Sequence, residues 1–164
     1  MHTNQFIVFQ RFVDGVDVRN IILDNDDIHF SFADGGKAVN LEPVKGDWDI
    51  LFTRYRYIFY HPTIPYLVEG VLINPSNTTV ACDSVKPFSS IDYSYAKNLP
   101  YTSQRDIIGW NWKAYSFSSG QYVIRPGLNY IIKDKDGFYW KLHFIGYYSD
   151  KGVKGSPKFE FQRL

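Results

Sequence analysis

The sequence predicts an all-β fold, and three observations carry that prediction. Aromatic residues make up 18% of the 164 residues, with 13 Tyr, 13 Phe and 4 Trp, and rings pack well on a pleated surface. Runs of β-branched and aromatic residues are short and are punctuated throughout by Asp-Gly, Gly-Gly and Asn-Pro turn signals. No stretch repeats its apolar residues at the helical period over three turns, so no long amphipathic helix competes with the strands. At this length, residues 1–164 are expected to form a single antiparallel β domain with long loops, in which 1–27 supply the less sharply defined N-terminal strands. Such a chain holds a core without disulfide staples.

Residues 6–12 and 19–23 read as two strands around Asp14-Gly15. Asp24-Asn25-Asp26-Asp27 reads as a solvated turn, because the glycine and closing Glu of a calcium loop are missing at the required spacing. Ile28, Phe30 and Phe32 then alternate onto one face before Asp34-Gly35-Gly36, which leaves His29 on the opposite, outer face. Residues 48–60 form one long strand or two joined by a bend, with apolar and polar groups mixed on both faces. His61-Pro62-Thr63-Ile64-Pro65 should break the pattern, since proline cannot donate to a ladder. Residues 66–73 resume as a buried strand that ends at Asn74-Pro75-Ser76-Asn77, a turn built on Pro and Asn. From 78 to 108 the pattern weakens, and a long excursion with at most a short helix is expected.

The last third is the plainest. Residues 129–132 and 138–148 are rich in β-branched and aromatic side chains and flank a polar segment ending in Asp136-Gly137, the signature of a hairpin. Gly137 supplies the positive φ such a turn needs. A second turn over 152–157 feeds a final strand, 158–162, in which Phe159 and Phe161 face one way and Lys158, Glu160 and Gln162 the other.

The 18 basic and 17 acidic residues nearly cancel to a formal charge of +1, which gives no electrostatic footprint for nucleic acid. No apolar run reaches the length of a membrane span, and no signal-peptide pattern follows Met1. Cys82 is the only cysteine, so no intrachain disulfide forms, and it reads as a buried small hydrophobe. A Gly-rich phosphate loop, a nucleophile elbow, zinc-type cysteine spacing and a His-x-x-x-His pair are all missing, and enzyme function is not expected. Asp47 and Asp49 flank Trp48 as a solvated strand edge rather than an acid–base pair. His61, in its proline-bounded turn, is a weak metal-ligand candidate, and His143 stands in strand register without an evident partner.

Three ordered pieces carry a resemblance. They are Phe30-Ser31-Phe32-x-Asp34-Gly35 with Val39-Asn40; Asp47-Trp48-Asp49-Ile50-x-Phe52-x-Arg54-Tyr55; and Asp136-Gly137-x-x-x-Lys141-Leu142-x-Phe144, closed by Phe159-Glu160-Phe161. Over residues 28–164 the chain resembles the HmuY-like family of Bacteroidetes surface lipoproteins. The resemblance implies an all-β fold shaped like a hand, with a ligand held between loops. It further implies export to the outer-membrane surface, a lipid anchor on a cysteine outside this sequence, and heme acquisition as in the founding members. The family's axial heme ligands, His or Met, would fall within 93–108 and beside Phe117. The first segment has neither residue, Phe117 cannot bind iron, and the only methionine is Met1. Tyrosine can hold ferric heme, and Tyr95 and Tyr101 are available for it. The expected pocket therefore uses Tyr93, Tyr95, Tyr101, Tyr115 and Phe117 to grip heme or another flat apolar ligand. The other reading is a surface adhesion or complex subunit that binds protein or glycan through the same loops.

Overall fold

The computed structural model describes residues 7–13, 16–22, 29–33, 37–39, 43 and 46–164. Two compact units make up the chain, Met1–Pro43 and Val44–Leu164. In the first, β1 (Ile7–Val13) pairs antiparallel with β2 (Val16–Ile22), Ile7 opposite Ile22. The short strands β3 (His29–Ser31) and β4 (Lys37–Val39) form a second antiparallel pair. The predicted turns at Asp14-Gly15, 24–27 and Asp34-Gly35-Gly36 lie outside the described residues, as does the His29 side chain. Phe32 departs from the expectation of a shared apolar face, because it lies past the end of β3 and is exposed.

The second unit opens with a long hairpin. β5 (Ile50–Tyr60) is one unbroken strand paired along its length with β6 (Thr63–Ile73). The break at the His61–Pro62 turn occurs as predicted, but β6 already begins at Thr63, and Pro65 sits inside it opposite Ile58. The proline is tolerated because this is a two-stranded ribbon, where one side of each strand has no ladder to interrupt. Nor is β6 buried throughout: Tyr66 and Leu67 are exposed, and burial begins at Val68.

A four-stranded antiparallel sheet carries the core, in the order β12 (Lys154–Arg163), β11 (Tyr139–Tyr148), β10 (Asn129–Lys133) and β7 (Thr79–Asp83). β7 (Thr79–Asp83) lies in the stretch where no strand was expected. It pairs with β10 (Asn129–Lys133), and its Val80 and Ala81 are buried. The excursion after it holds a 3-10 turn (Phe88–Ser90) and a single-turn helix α1 (Tyr93–Ala96), which Asp92 caps by accepting from the Tyr95 N–H at 2.8 Å. The small hairpin of β8 (Lys113–Ser116) and β9 (Gln121–Ile124) follows. β10 then turns through Gly137, at φ 82°, into β11 (Tyr139–Tyr148), as the hairpin signature predicted. The final strand is longer than expected. β12 spans Lys154–Arg163, so Pro157 lies within it and the turn before it closes at Gly152.

The core gathers Val71, Ile73, Val80, Trp112, Tyr130 and Phe144. Trp112 stacks on Phe144 with centroids 3.9 Å apart and planes 12° apart, and Tyr130 meets Phe144 edge-on. A smaller cluster, Ile91, Ala96 and Ile131, sits beneath α1. Cys82 is exposed rather than buried, although it shares a face of β7 with the buried Val80, and its thiol reaches the Ile107 carbonyl at 3.7 Å. His143 does have partners, contrary to expectation: its Nε2 lies 2.9 Å from Glu160 on the adjacent strand, and its ring stacks on Phe88 at 4.0 Å. The long excursion supplies Phe88, which sequence alternation could not foresee.

Candidate functional site

The β5–β6 hairpin, the β8–β9 hairpin and the end of β11 enclose a cavity of about 690 Å³. Its position follows from a close backbone approach. Val71 and Gly109 exchange N–H···O bonds of 2.9 and 3.0 Å, fastening the segment before β8 onto β6. Gly70 allows this, since a Cβ there would come within 2.5 Å of the Gly109 carbonyl oxygen. Gly109 itself has φ 61°, a conformation glycine adopts without strain. Trp110 follows directly and turns its ring to Phe59, centroids 5.3 Å apart, and to Tyr57 at 5.4 Å.

Two sets of rings line the walls. Phe59, Tyr66 and Trp110 come from the β5–β6 side, while Tyr115, Tyr122 and Tyr147 meet edge-to-face on the other. The β8–β9 hairpin is tied to β11 by the Tyr122 N–H, which donates to the Tyr148 hydroxyl at 2.8 Å. Beneath the rings lies a polar group. Register sets Arg54 opposite Glu69, and Arg54 Nη2 lies 2.6 Å from Glu69 Oε1. The Tyr147 hydroxyl donates to the other Glu69 oxygen. That bond, followed by Arg54, holds the Glu69 carboxyl below its usual range. Burial, then the Glu69 hydrogen bond, pushes the Tyr147 phenol up.

Lys113 is 5% exposed. Its ammonium donates to the Glu69 carbonyl at 2.6 Å and lies 4.1 Å from the Trp112 ring and 4.7 Å from that of Tyr147. Burial lowers its pKa to about 8, with Glu69 opposing the shift. With Arg54, Arg125 and Lys154 it makes four cations around the cavity against one carboxylate, Glu69. Among the described residues, the lining holds no His, Cys, Met, Ser or Asp.

The residues nominated from sequence divide into two places. Tyr115 lines the cavity, 47% exposed, and Phe117 lies beside it, 92% exposed, ring centroids 5.2 Å apart. Tyr93, Tyr95 and Tyr101 sit instead around α1. Tyr95 donates to Asp83 at 2.8 Å and lies under the Lys86 ammonium; Tyr101 donates to the Ala96 carbonyl at 2.9 Å; both Tyr93 and Tyr101 meet Tyr139 edge-on. None of these three lines the cavity. His61 is exposed in the β5–β6 turn and does not line it either. Among the described residues, no three His, Cys, Asp or Glu side chains gather as a metal site. Asp47 and Asp49 part company, the first pairing with Lys135 at 3.3 Å and the second accepting from Thr78 at 2.9 Å.

Sequence reasoning missed Arg54, Glu69 and Lys113. One signal was there: Glu69 is a lone carboxylate inside the otherwise apolar run 66–73. An acid in such a run needs a partner, and the partners lie 15 residues before it and 78 after it.

The scaffold is all-β, and its cavity is walled by rings and cations. The family model for the HmuY protein matches residues 68–161, more than half of the chain, and the chain belongs to that family of binding proteins. No curated protein matches the chain. Among solved structures it is similar to one from Bacteroides vulgatus, named as HmuY-like and heme binding, at 18% identity and a TM-score of 0.34 over 66% of this chain and 84% of that one.

Proposed function

We propose that this chain is an exported, surface-anchored binding protein that holds a flat, acidic, ring-bearing ligand of the heme type in the cavity between the β5–β6 and β8–β9 hairpins. The observation that carries this reading is the lining: exposed ring faces beside four cations and one carboxylate, in a space of about 690 Å³. Rings stack on a planar ligand, and cations pair with its acidic groups. Among the described residues, the cavity offers neither the imidazole nor the thioether that the family's heme sites use. It does offer the hydroxyls of Tyr66, Tyr115 and Tyr122, and a phenolate is a ligand for ferric iron. Grip on the ligand thus comes from its plane and its charge, with iron ligation an addition to them.

Titrating the protein with hemin tests this. The expected result is a saturable change in the Soret band, weakened several-fold in Tyr115→Ala and untouched in Tyr95→Phe. An unchanged spectrum at tens of micromolar hemin, or equal loss in both variants, overturns the assignment to this cavity. Export and anchoring follow from the family resemblance, and recovery of the native protein outside the outer-membrane fraction would refute them.

A further inference from the structure

A second cavity, of about 250 Å³, adjoins the first. The two share Arg54, Glu69, Tyr147 and Lys154, so the Arg54–Glu69–Tyr147 group stands as a partition between them. At roughly 30 Å³ per water molecule the smaller space is far too small for a macrocycle but ample for a short acidic arm.

Four features of its wall favour an anion. Lys154 lines both cavities, and its ammonium has no anionic partner among the described residues. Arg54 carries five N–H donors and commits only to Glu69. Gly155, at φ 90°, leaves open the space beside Glu69, where a Cβ would come within 3.4 Å of Oε2. Trp112, 1% exposed, lines this cavity and not the larger one, and its buried Nε1–H meets no acceptor. A buried donor left unpaired costs about 1–3 kcal/mol, which native structures rarely leave standing. The wall thus has two cations, one buried donor without a partner, and a single carboxylate.

We infer that the smaller cavity seats an acidic arm of the ligand, a carboxylate that takes Arg54 and Lys154 in competition with Glu69 while the ring system stays in the larger cavity. This rests on the larger cavity being the ligand site. Glu69 then acts as a resident substitute for the ligand's own carboxylate: it keeps Arg54 positioned and is displaced on binding. A neutral arm has nothing to displace it with, so the site selects planar acids over planar esters.

The test uses metal-free protoporphyrin IX, a planar dicarboxylate, and its dimethyl ester in dilute nonionic detergent, each titrated by fluorescence against the whole chain. Wild-type protein is expected to prefer the acid by about tenfold, the scale of one charge-assisted pair. Lys154→Met and Arg54→Met each reduce that ratio by weakening the acid more than the ester, and Glu69→Gln raises the ratio. Equal binding of acid and ester by the wild type overturns the inference and leaves the ring-lined cavity standing as the ligand site. So does a preference that survives the double variant of Arg54 and Lys154. If neither porphyrin binds, the larger cavity is not the ligand site and the inference falls with it. Circular dichroism of each variant separates lost binding from lost folding.

Discussion

The tyrosines around α1 and those around the cavity come from the same composition and are used in opposite ways. Beside the helix the hydroxyls of Tyr95 and Tyr101 are spent on Asp83 and the Ala96 carbonyl, and the rings close over Ile91, Ala96 and Ile131. Burial pushes the Tyr101 phenol well above its ordinary range. Around the cavity, Tyr66 and Tyr115 are exposed and no described protein group takes up their hydroxyls. A ring whose polar end is satisfied internally adds stability. A ring whose edge and hydroxyl both face open space is held in readiness for something else. Counting aromatics therefore says little about a site until their hydroxyl partners are known.

The sharpest way to break this contrast is truncation on the helix side. Tyr101→Ala should cost about 3 kcal/mol, read as a fall in the urea midpoint, because it opens the small core under α1. A negligible loss would mean that the helix tyrosines are not structural. Next comes the cavity floor. Lys113 has a folded-state pKa of about 8 against 10.5 unfolded, so between those values the unfolded chain binds more protons. Stability should rise with pH from about 8 towards 10, by on the order of 2 kcal/mol, before the raised tyrosine phenols reverse the trend. In Lys113→Met that rise should vanish; its persistence would assign the slope to another group.

A finer cut is Tyr101→Phe, which removes only the bond to Ala96 and should cost about 1 kcal/mol by denaturation. Smallest of all is Tyr115→Ala, expected to lie within about 0.5 kcal/mol of wild type in stability. The contrast holds if Tyr115→Ala loses ligand affinity while Tyr101→Phe keeps it, and it collapses if Tyr115→Ala unfolds the protein.

The C-terminal meander was legible because local signals agree there: alternation, β-branched residues and Asp-Gly all specify one register. β7 was not, since Thr79-Val80-Ala81-Cys82-Asp83 carries few residues that favour strands, and its burial comes from pairing with β10, where the partner of Asp83 is Asn129, 46 residues on. Of the site, Tyr115 and Phe117 could be nominated because the family resemblance places a ligand position beside Phe117. The Arg54–Glu69–Tyr147 group could not, because it depends on cross-strand register and on β11 returning to β6. The tyrosines of 93–101 looked alike in sequence, and only their hydroxyl partners show that Tyr95 and Tyr101 pack on the small core, while Tyr93 stays exposed.

The contact of Gly70 with Gly109 works as a hinge pin machined to zero clearance. One added methyl at position 70 would wedge the two backbones apart, carrying the indole of Trp110 outward from Phe59. The aperture of the cavity is thus gauged by the single hydrogen atom that stands where any other residue would carry a Cβ.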